Sequence, residues 1–549
     1  MPTDTSAHLS PVKNSRMPLE NAQFDVLVIG GGINGVAIAR ECARAGRRTL
    51  LVEQHDFAAG TTSRSTRIIH GGVRYLEHGD FAQVRESLRE RQKLLRDYPH
   101  LVHPLEFVLA LDGKSRRSAL AIRAGLWLYR RMAGRQIDHR EGQPADFDRL
   151  LDRGRHFSLF RFEDAQCEFP ERLVAEWLVE AMAAGCVVRN HTRLLAVTIR
   201  QGRATGAVLR DHPTGREGRV ECSWIINATG PWADDICQHS GVRTPHRMLG
   251  GVRGSHIVLE KFAGAPGQAV YTEALDGRPI FIIPWNDQIL VGTTEVPESG
   301  DPSQVQPSAE EIDYLLSSLA GLFPRLGISR SHIRYAFAGV RPLPYSPQVR
   351  PSAIPRRHFF HDHTPDGAAG MISVIGGKLT TAGSVARECV EKIGLRSVLS
   401  PVALAYESEL DCLVAQMGAE VSQIAGVTPE LAHKMVEWYG RRALDLAHRA
   451  RGSAPLKERL CPHTHHIVAE ALDAFENQSA VTLADVLLRR VPLALGPCWS
   501  TACTRVAAAR VAAIRGWDTA RIKLELEGFD TEYQAFLGQR EAPVPQAVT

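Results

Sequence analysis

The apolar run Val26-Leu-Val-Ile29 enters a glycine cluster, Gly30-Gly31-Gly32-Ile33-Asn34-Gly35. Val36 to Arg44 then has an alanine-rich helical pattern, and Thr49-Leu-Leu-Val-Glu53 is again extended. Strand, tight turn, helix and strand in that order predict a βαβ unit. A Ser/Thr/Arg loop, Thr61 to Arg67, precedes His70-Gly-Gly-Val-Arg-Tyr-Leu76, and Phe81 to Arg96 reads as a charged amphipathic helix that stops before Pro99. Val220 to Ala228 predicts a strand running into Thr229-Gly230-Pro231. From about 246 to 345 β-type segments dominate, among them Ser255–Leu259, Ile280–Ile283 and Ile289–Gly292, and Met371–Ile375 opens into Gly376-Gly377-Lys378. From Leu404 to Leu526 glycine thins out and a period of about 3.6 takes over, which predicts an all-helical C-terminal domain.

With 549 residues the chain exceeds one core, and two to four domains are expected. Hydrophobic content of 44% and charged content of 23% exclude a disordered chain, a collagen-like chain and a small disulfide scaffold. A net charge of +4 leaves no nucleic-acid footprint over the whole chain. The ten cysteines are scattered, without C-x-x-C or a zinc-like Cys/His spacing. They read as small buried hydrophobes in a reducing compartment, and no metal is expected. Met1 to Gln23 lacks the apolar core of a secretory signal and is expected to be a loose tail, as are residues 536–549. No apolar run reaches the roughly 18 residues that span a bilayer, so a cytoplasmic protein that does not cross the membrane is expected.

Gly30, Gly32 and Gly35 form G-x-G-x-x-G, the turn that lets backbone approach a pyrophosphate at a helix N-terminus. Glu53 ends the second strand 23 residues after Gly30, where a carboxylate accepts from a ribose. The rival is a glycine-rich turn without a ligand, but strand, helix and acid all fall in place for a dinucleotide. This unit does not separate NAD from FAD. Two further glycine turns, Asn227-Ala-Thr-Gly230 and Gly376-Gly-Lys-Leu-Thr-Thr381, suggest one large cofactor threaded through a discontinuous domain, a pattern similar to FAD-binding oxidoreductases.

The string Ser63-Arg-Ser-Thr-Arg-Ile-Ile-His-Gly-Gly-Val-Arg-Tyr-Leu-Glu77 resembles the FAD-dependent glycerol-3-phosphate dehydrogenase family. So do Asn227-Ala-Thr-Gly-Pro-Trp232, Gly254-Ser-His-Ile-Val258, Gly292-Thr-Thr-Glu295, Gly339-Val-Arg-Pro-Leu343 and Gly376–Thr381, in the family's order. The resemblance runs from about 24 to 535 and includes Leu488-Arg489-Arg490 and Gly516-Trp517. It implies an α/β fold: a discontinuous Rossmann-like FAD-binding domain over 24–399, interleaved with a mixed β-sheet substrate domain mainly at 100–160 and 246–335. An all-helical C-terminal domain follows at 400–535. Gly30, Gly32, Ile33, Asn34, Gly35, Glu53, Thr62, Ser63, Ser65, His70, Gly71, Gly72, Gly230, Gly377, Leu379 and Thr380 are the expected cofactor residues. Arg74, Tyr75, Thr294, Arg341, Arg356 and Lys378 are the expected substrate residues, because guanidinium forks suit a phosphate dianion. The implied activity is oxidation of glycerol 3-phosphate to dihydroxyacetone phosphate, with electrons passing through FAD to a quinone.

His256, with an ordinary pKa near 6.5, is the candidate base, Lys378 is its rival, and Arg341 completes the catalytic group. An oxidase using oxygen, a dehydrogenase or oxidase of another small hydroxy or amino acid, and a non-enzymatic flavin-bound interaction or redox-sensing module stay open as alternatives. A homodimer stays open too. Two departures from the family pattern stand out: Glu168-Phe-Pro-Glu-Arg172-Leu173 replaces an acidic pair with proline and glutamate, and Arg357 stands after Arg356 where an acid is usual.

Lys114 to Arg135 also predicts a helix. At about 100° per residue, Arg116, Arg117, Arg123, Arg130, Arg131 and Arg135 share an arc with Leu120 and Trp127, while Ile122, Leu126, Leu128, Tyr129 and Met132 lie mainly opposite. Such a helix either lies in a membrane interface or packs its apolar face into the protein core. The resemblance favours a peripheral position on the inner face of the cytoplasmic membrane.

Overall fold

The structure, a computed structural model, describes residues 19–113, 115, 118–134, 147–274, 276–349, 354–396 and 407–537. The first unit forms as its pattern predicts: strand β1 (Ala22–Ile29), helix α1 (Ile33–Arg44) and strand β2 (Thr49–Val52). β1 is buried on both faces from Val26 onward, which accounts for its unbroken apolar run. It lies parallel between β2 and strand Arg216–Asn227, with Ile29 level with Val52 on one side and Asn227 on the other. Met371–Ile375 extends the sheet beyond Arg216–Asn227, and Val187–Arg189 extends it beyond β2, both parallel. One sheet is thus assembled from segments far apart in sequence. Its eight strands are completed by Phe359–Asp362 and the hairpin Thr192–Arg200 with Arg203–Asp211.

Because the five parallel strands point one way, the residues that follow them open at one carboxyl edge, where such sheets bind ligands. Those residues include Gly30 to Gly32, Glu53, Ala228 to Gly230 and Gly376 to Lys378. Helix α1 packs beside helices Pro170–Ala183 and Ala382–Lys392 on one face, and its alanines allow the close approach.

A second sheet of nine strands is mostly antiparallel. Leu249–Glu260 pairs along its length with Ile333–Pro344 and on its other side with Gln288–Gly292. Helix Ala309–Leu322 starts in a capping box of Ser308 and Glu311 and covers one face. The opposite face shares a core with the C-terminal helices: Trp285, Tyr335 and Phe337 of the sheet pack with Leu487, Trp499, Phe529 and Phe536.

Ion pairs join the helical layer to the first sheet. The fully buried Asp56 carboxylate accepts from Arg490 at 2.7 Å on each oxygen and also pairs with Arg489. Asp485 receives His191 at 3.0 Å and Arg489 at 3.1 Å. Arg172 donates to the Gln478 side chain at 2.9 Å and the Arg490 carbonyl at 3.0 Å.

Several expectations shift. The ordered strand begins at Ala22, inside the expected tail, while residues 1–18 lie outside the described residues. Phe536 and Leu537 belong to helix Thr519–Leu537 and are buried, because Phe536 stacks on Phe337 with ring centres 5.8 Å apart. The rest of that tail, 538–549, lies outside the described residues. The basic helix spans Ala119–Ala133, capped by Ser118. Its apolar side faces the protein: Leu126 and Tyr129 are buried, and the Tyr129 hydroxyl donates to Asp164 at 2.7 Å. Arg116, Arg117 and Arg135 lie outside the described residues. The unusual stretch after Cys167 is structural, since Glu171 accepts from Arg67 at 3.0 Å on each oxygen with both side chains fully buried.

Removing one member of a buried ion pair leaves a charge uncompensated and costs about 3–5 kcal/mol. Asp56→Ala should therefore lower the urea midpoint with the denaturant slope kept. A loss below about 1 kcal/mol would mean that apolar contacts alone hold the helical layer.

Candidate active site

A cavity of about 1300 Å³ runs from the carboxyl edge of the first sheet to the second sheet. That exceeds the roughly 300–1000 Å³ of a drug-sized pocket and suits a dinucleotide together with a small second ligand. At the first-sheet end the backbone comes very close to itself. Gly30 has φ +105°, and a Cβ there would sit 2.6 Å from the Ala228 carbonyl. Glu53 accepts from the Gly31 amide at 2.6 Å and the His55 amide at 2.9 Å, and the Thr62 hydroxyl accepts from the Ile33 amide at 3.0 Å. Gly32, the N-cap residue of α1, has no side chain with which to cap the helix, and the buried Asn34 Oδ1 has no partner among the described residues.

At the second-sheet end, strand pairing sets His256 between Gly292 and Phe337. A Cβ on Gly292 would overlap the His256 ring, and one on Gly254 would overlap the Arg341 guanidinium, so both glycines are spaces that side chains occupy. His256 stacks on Phe337, and its Nε2 is 3.0 Å from the Thr66 hydroxyl, while the buried Nδ1 has no partner among the described residues. Burial, followed by the nearby Arg341 and Arg67 cations, pushes the His256 pKa down to about 3. His70 is likewise held down to about 3, by burial and then by Lys378 and Arg356. The ordinary value assumed for His256 from sequence therefore does not hold: the ring is neutral throughout the physiological range.

Arg341 donates to the Thr294 carbonyl at 3.2 Å and the Thr293 hydroxyl at 2.9 Å, and no carboxylate is hydrogen-bonded to it among the described residues. Burial and then the Arg356 cation lower its pKa to about 10. Arg356 pairs with Glu295. Lys378 Nζ lies 4.0 Å above the centre of the Tyr75 ring and donates to Gln83 at 2.7 Å once that amide is oriented to donate to Asp80. Burial lowers the Lys378 pKa.

Most expected residues line the cavity: Gly30, Gly32, Ile33, Asn34, Glu53, Thr62, Ser65, His70, Gly72, Tyr75, Gly230, His256, Arg341, Arg356, Gly377, Lys378, Leu379 and Thr380. Four do not. Gly35 is a packing glycine, since a Cβ there would overlap the Gly30 carbonyl. Ser63 is buried and donates to the Ala58 carbonyl at 2.7 Å. Gly71 donates its amide to the Tyr129 hydroxyl at 2.9 Å and to Asp164 at 3.1 Å. The Thr294 hydroxyl donates to Glu311 at 2.6 Å and accepts from the Ser255 amide at 2.8 Å, so Thr293 faces the cavity in its place. The Arg74 side chain lies outside the described residues. Arg357 is exposed, and the acid beside Arg356 comes from Glu295 of another segment. Sequence reasoning also missed Thr66, Thr293, Glu295 and Arg489, which sit inside strings it had singled out, and Glu532 and Phe536, which reach the cavity from the helical layer with no local signal.

Two family descriptions match the chain: FAD dependent oxidoreductase over residues 25–382, and the C-terminal domain of alpha-glycerophosphate oxidase over 407–522. The chain is 37% identical to glycerol-3-phosphate dehydrogenase of Synechocystis sp., over 87% of this chain and 90% of that one. It is 33% identical to glycerol-3-phosphate dehydrogenase of Pseudomonas aeruginosa, over 86% and 92%, and 35% identical to D-erythritol 1-phosphate dehydrogenase of Brucella abortus, over 67% and 73%. The solved structure of glycerol-3-phosphate dehydrogenase from Bacillus halodurans complexed with FAD shares the fold, with a TM-score of 0.75 at 22% identity over 96% of this chain and 97% of that one.

The depressed histidines tie stability to pH. His70 and His256 stay neutral in the fold to about pH 3, whereas each takes up a proton near pH 6.5 when unfolded. The stabilisation from the neutral rings is therefore complete above about pH 6.5 and is lost as pH falls toward about 3. Between about pH 7 and about pH 5, the double variant His70→Asn/His256→Asn should lose less unfolding free energy than the parent, by about 2 kcal/mol per histidine. Parallel pH profiles from urea titrations would place both rings in solvent-like surroundings.

Proposed function

Since the chain belongs to the FAD-dependent glycerol-3-phosphate dehydrogenase family, we propose that it oxidises the C2 hydroxyl of sn-glycerol 3-phosphate to give dihydroxyacetone phosphate. The observation that carries this reading is Arg341, a half-buried guanidinium with no carboxylate hydrogen-bonded to it among the described residues, beside Arg356 and Lys378. A desolvated guanidinium without a hydrogen-bonded carboxylate favours binding of an anion, and its planar fork matches phosphate geometry.

The first-sheet end of the cavity fits FAD: Gly30 and Gly32 line it, the N-cap residue Gly32 has no side chain to cover the start of α1, and Asn34 carries an orphaned acceptor. Glu53 keeps lone pairs for ribose hydroxyls beyond its two amide bonds. When bound, FAD supplies the hydride acceptor. Arg341 and Arg356 would hold the phosphate, and the Tyr75 ring and Gln83 would fix the Lys378 ammonium at the pocket wall. His256 would accept the hydroxyl proton. Burial is the larger cause of the ring's lowered pKa and Arg341 the second, and a phosphate on Arg341 would offset that second contribution.

The likeness to the D-erythritol 1-phosphate dehydrogenase of Brucella abortus supports a second reading, a longer polyol phosphate on the same cations. Anaerobic stopped-flow bleaching of the flavin by the two polyol phosphates and by small amino acids separates the readings, and bleaching by amino acids alone would overturn both. Arg341→Ala should raise the KM for glycerol 3-phosphate roughly 10- to 150-fold with flavin content kept. His256→Ala should slow flavin reduction by about 10²–10⁴ with affinity largely kept. A silent His256→Ala beside an impaired Lys378→Ala would pass the proton to the lysine.

The electrons would leave for a quinone in the membrane. No helix among the described residues is long and apolar enough to cross one. The helix Ala119–Ala133 instead exposes Leu120 at 76% and Trp127 at 66%, with exposed Arg123 and Arg131 alongside. An aromatic and a leucine amid cations suit an interface with anionic lipid, where each basic residue contributes about 1 kcal/mol. The membrane face is thus the arginine side of this helix, with Leu120 and Trp127 as its apolar contacts. Liposome co-sedimentation should require anionic lipid, weaken with salt and drop in Leu120→Ser/Trp127→Ser. Undiminished sedimentation of that variant, still folded and yellow, would move the membrane face elsewhere.

A further inference from the structure

The helical layer holds donor atoms that the redox site does not use. Cys461 lies in the loop before helix Val468–Asn477, and Cys503 lies in the first turn of helix Thr501–Arg515. Both are buried, and their Sγ atoms are 3.6 Å apart. His463 is exposed, yet its Nδ1 turns inward to stand 3.6 Å from Cys461 Sγ and 3.7 Å from Cys503 Sγ. The three donors therefore form a nearly equilateral triangle.

That triangle matches one face of a tetrahedral metal site. With Zn–S near ~2.3 Å and Zn–N near ~2.05 Å, tetrahedral angles put sulfur and sulfur about 3.8 Å apart, and sulfur and nitrogen about 3.6 Å apart. A disulfide is a different geometry, with its sulfurs at about 2.05 Å and no use for an imidazole. Two other groups of acids and histidines are already satisfied. His361 and His363 both bond the same oxygen of Asp366, at 2.7 and 2.8 Å, and Asp56 and Asp485 hold the Arg489 and Arg490 guanidinium groups.

We propose that Cys461, Cys503 and His463 bind one zinc ion, with the fourth position open beside the exposed histidine. Two sulfurs and one imidazole select a borderline-soft divalent metal over magnesium or calcium. On binding, two S–H bonds break, two Zn–S bonds form and two protons leave to solvent, so the neutral imidazole and two thiolates balance the ion's charge. The ion clips the loop of Cys461 to a helix that starts some 40 residues later, and so stiffens the helical layer.

Protein purified in reductant without chelator should carry about one zinc per chain by elemental analysis. After chelation, added cobalt(II) should produce a thiolate charge-transfer band and tetrahedral ligand-field bands at longer wavelength than the flavin. Cys503→Ser should abolish the charge-transfer band. His463→Ala alters an exposed side chain and so keeps the fold. It should weaken cobalt binding more than about 100-fold, since even outer-shell partners are worth 10- to 100-fold. Flavin content should not change in either variant. Folded, yellow protein with neither zinc nor a cobalt spectrum would overturn the site. So would a cobalt spectrum unchanged in both variants, or the metal-free loss of two thiols to a disulfide.

Discussion

Asp56 sits with no solvent contact just after β2, and burying its charge costs several kcal/mol unless the partners are close and well oriented. Arg489 and Arg490 meet that demand only when the helical layer docks in one register on the first sheet. Asn190 adds a donor at 2.8 Å from the sheet side, and Asp485 holds Arg489 from its own helix. The consequences reach the active site. The docking that satisfies Asp56 brings Arg489 and Glu532 to the cavity wall and lays Phe536 under the Arg64 guanidinium at 5.0 Å. The C-terminal layer is therefore part of the pocket's construction and not an appended module.

The electrostatics of the cavity follow from how its walls are built. Strand pairing in the second sheet packs Arg341, His256 and Thr293 side by side, and missing Cβ atoms at Gly254 and Gly292 make the room. Cations are gathered there faster than acids: Glu295 answers Arg356, while Arg341 finds a carbonyl and a hydroxyl. In this setting the pKa values of His256, Arg341 and Lys378 are all lowered, first by burial and for Arg341 and His256 next by a neighbouring cation. The neutral imidazole and the waiting guanidinium are two results of one desolvated, positive environment.

What the sequence determined by itself was local. The glycine turn at Gly30 to Gly35, the buried run of β1, the acid at Glu53 and the change to a helical period after residue 400 each depend on neighbours a few residues away. All of these appear in the structure. The α/β architecture was legible for the same reason, and most residues singled out from the sequence line the cavity, because glycine turns that follow parallel strands share one edge. Tertiary structure decided what depends on partners distant in the chain. Thr294 was legible as a motif residue, but Glu311 and Ser255 turn its hydroxyl inward and leave the cavity to Thr293. The amphipathic helix was legible too, yet only packing showed its apolar side claimed by the protein's own core, with Leu120, Arg123, Trp127 and Arg131 left exposed. Cys461 and Cys503, 42 residues apart, carry no spacing that announces a metal; the fold of two helices and a loop brings their sulfurs to His463. Periodicity and turn chemistry report the conformation of a segment, whereas burial, charge compensation and side-chain orientation are settled by whatever the fold places opposite it.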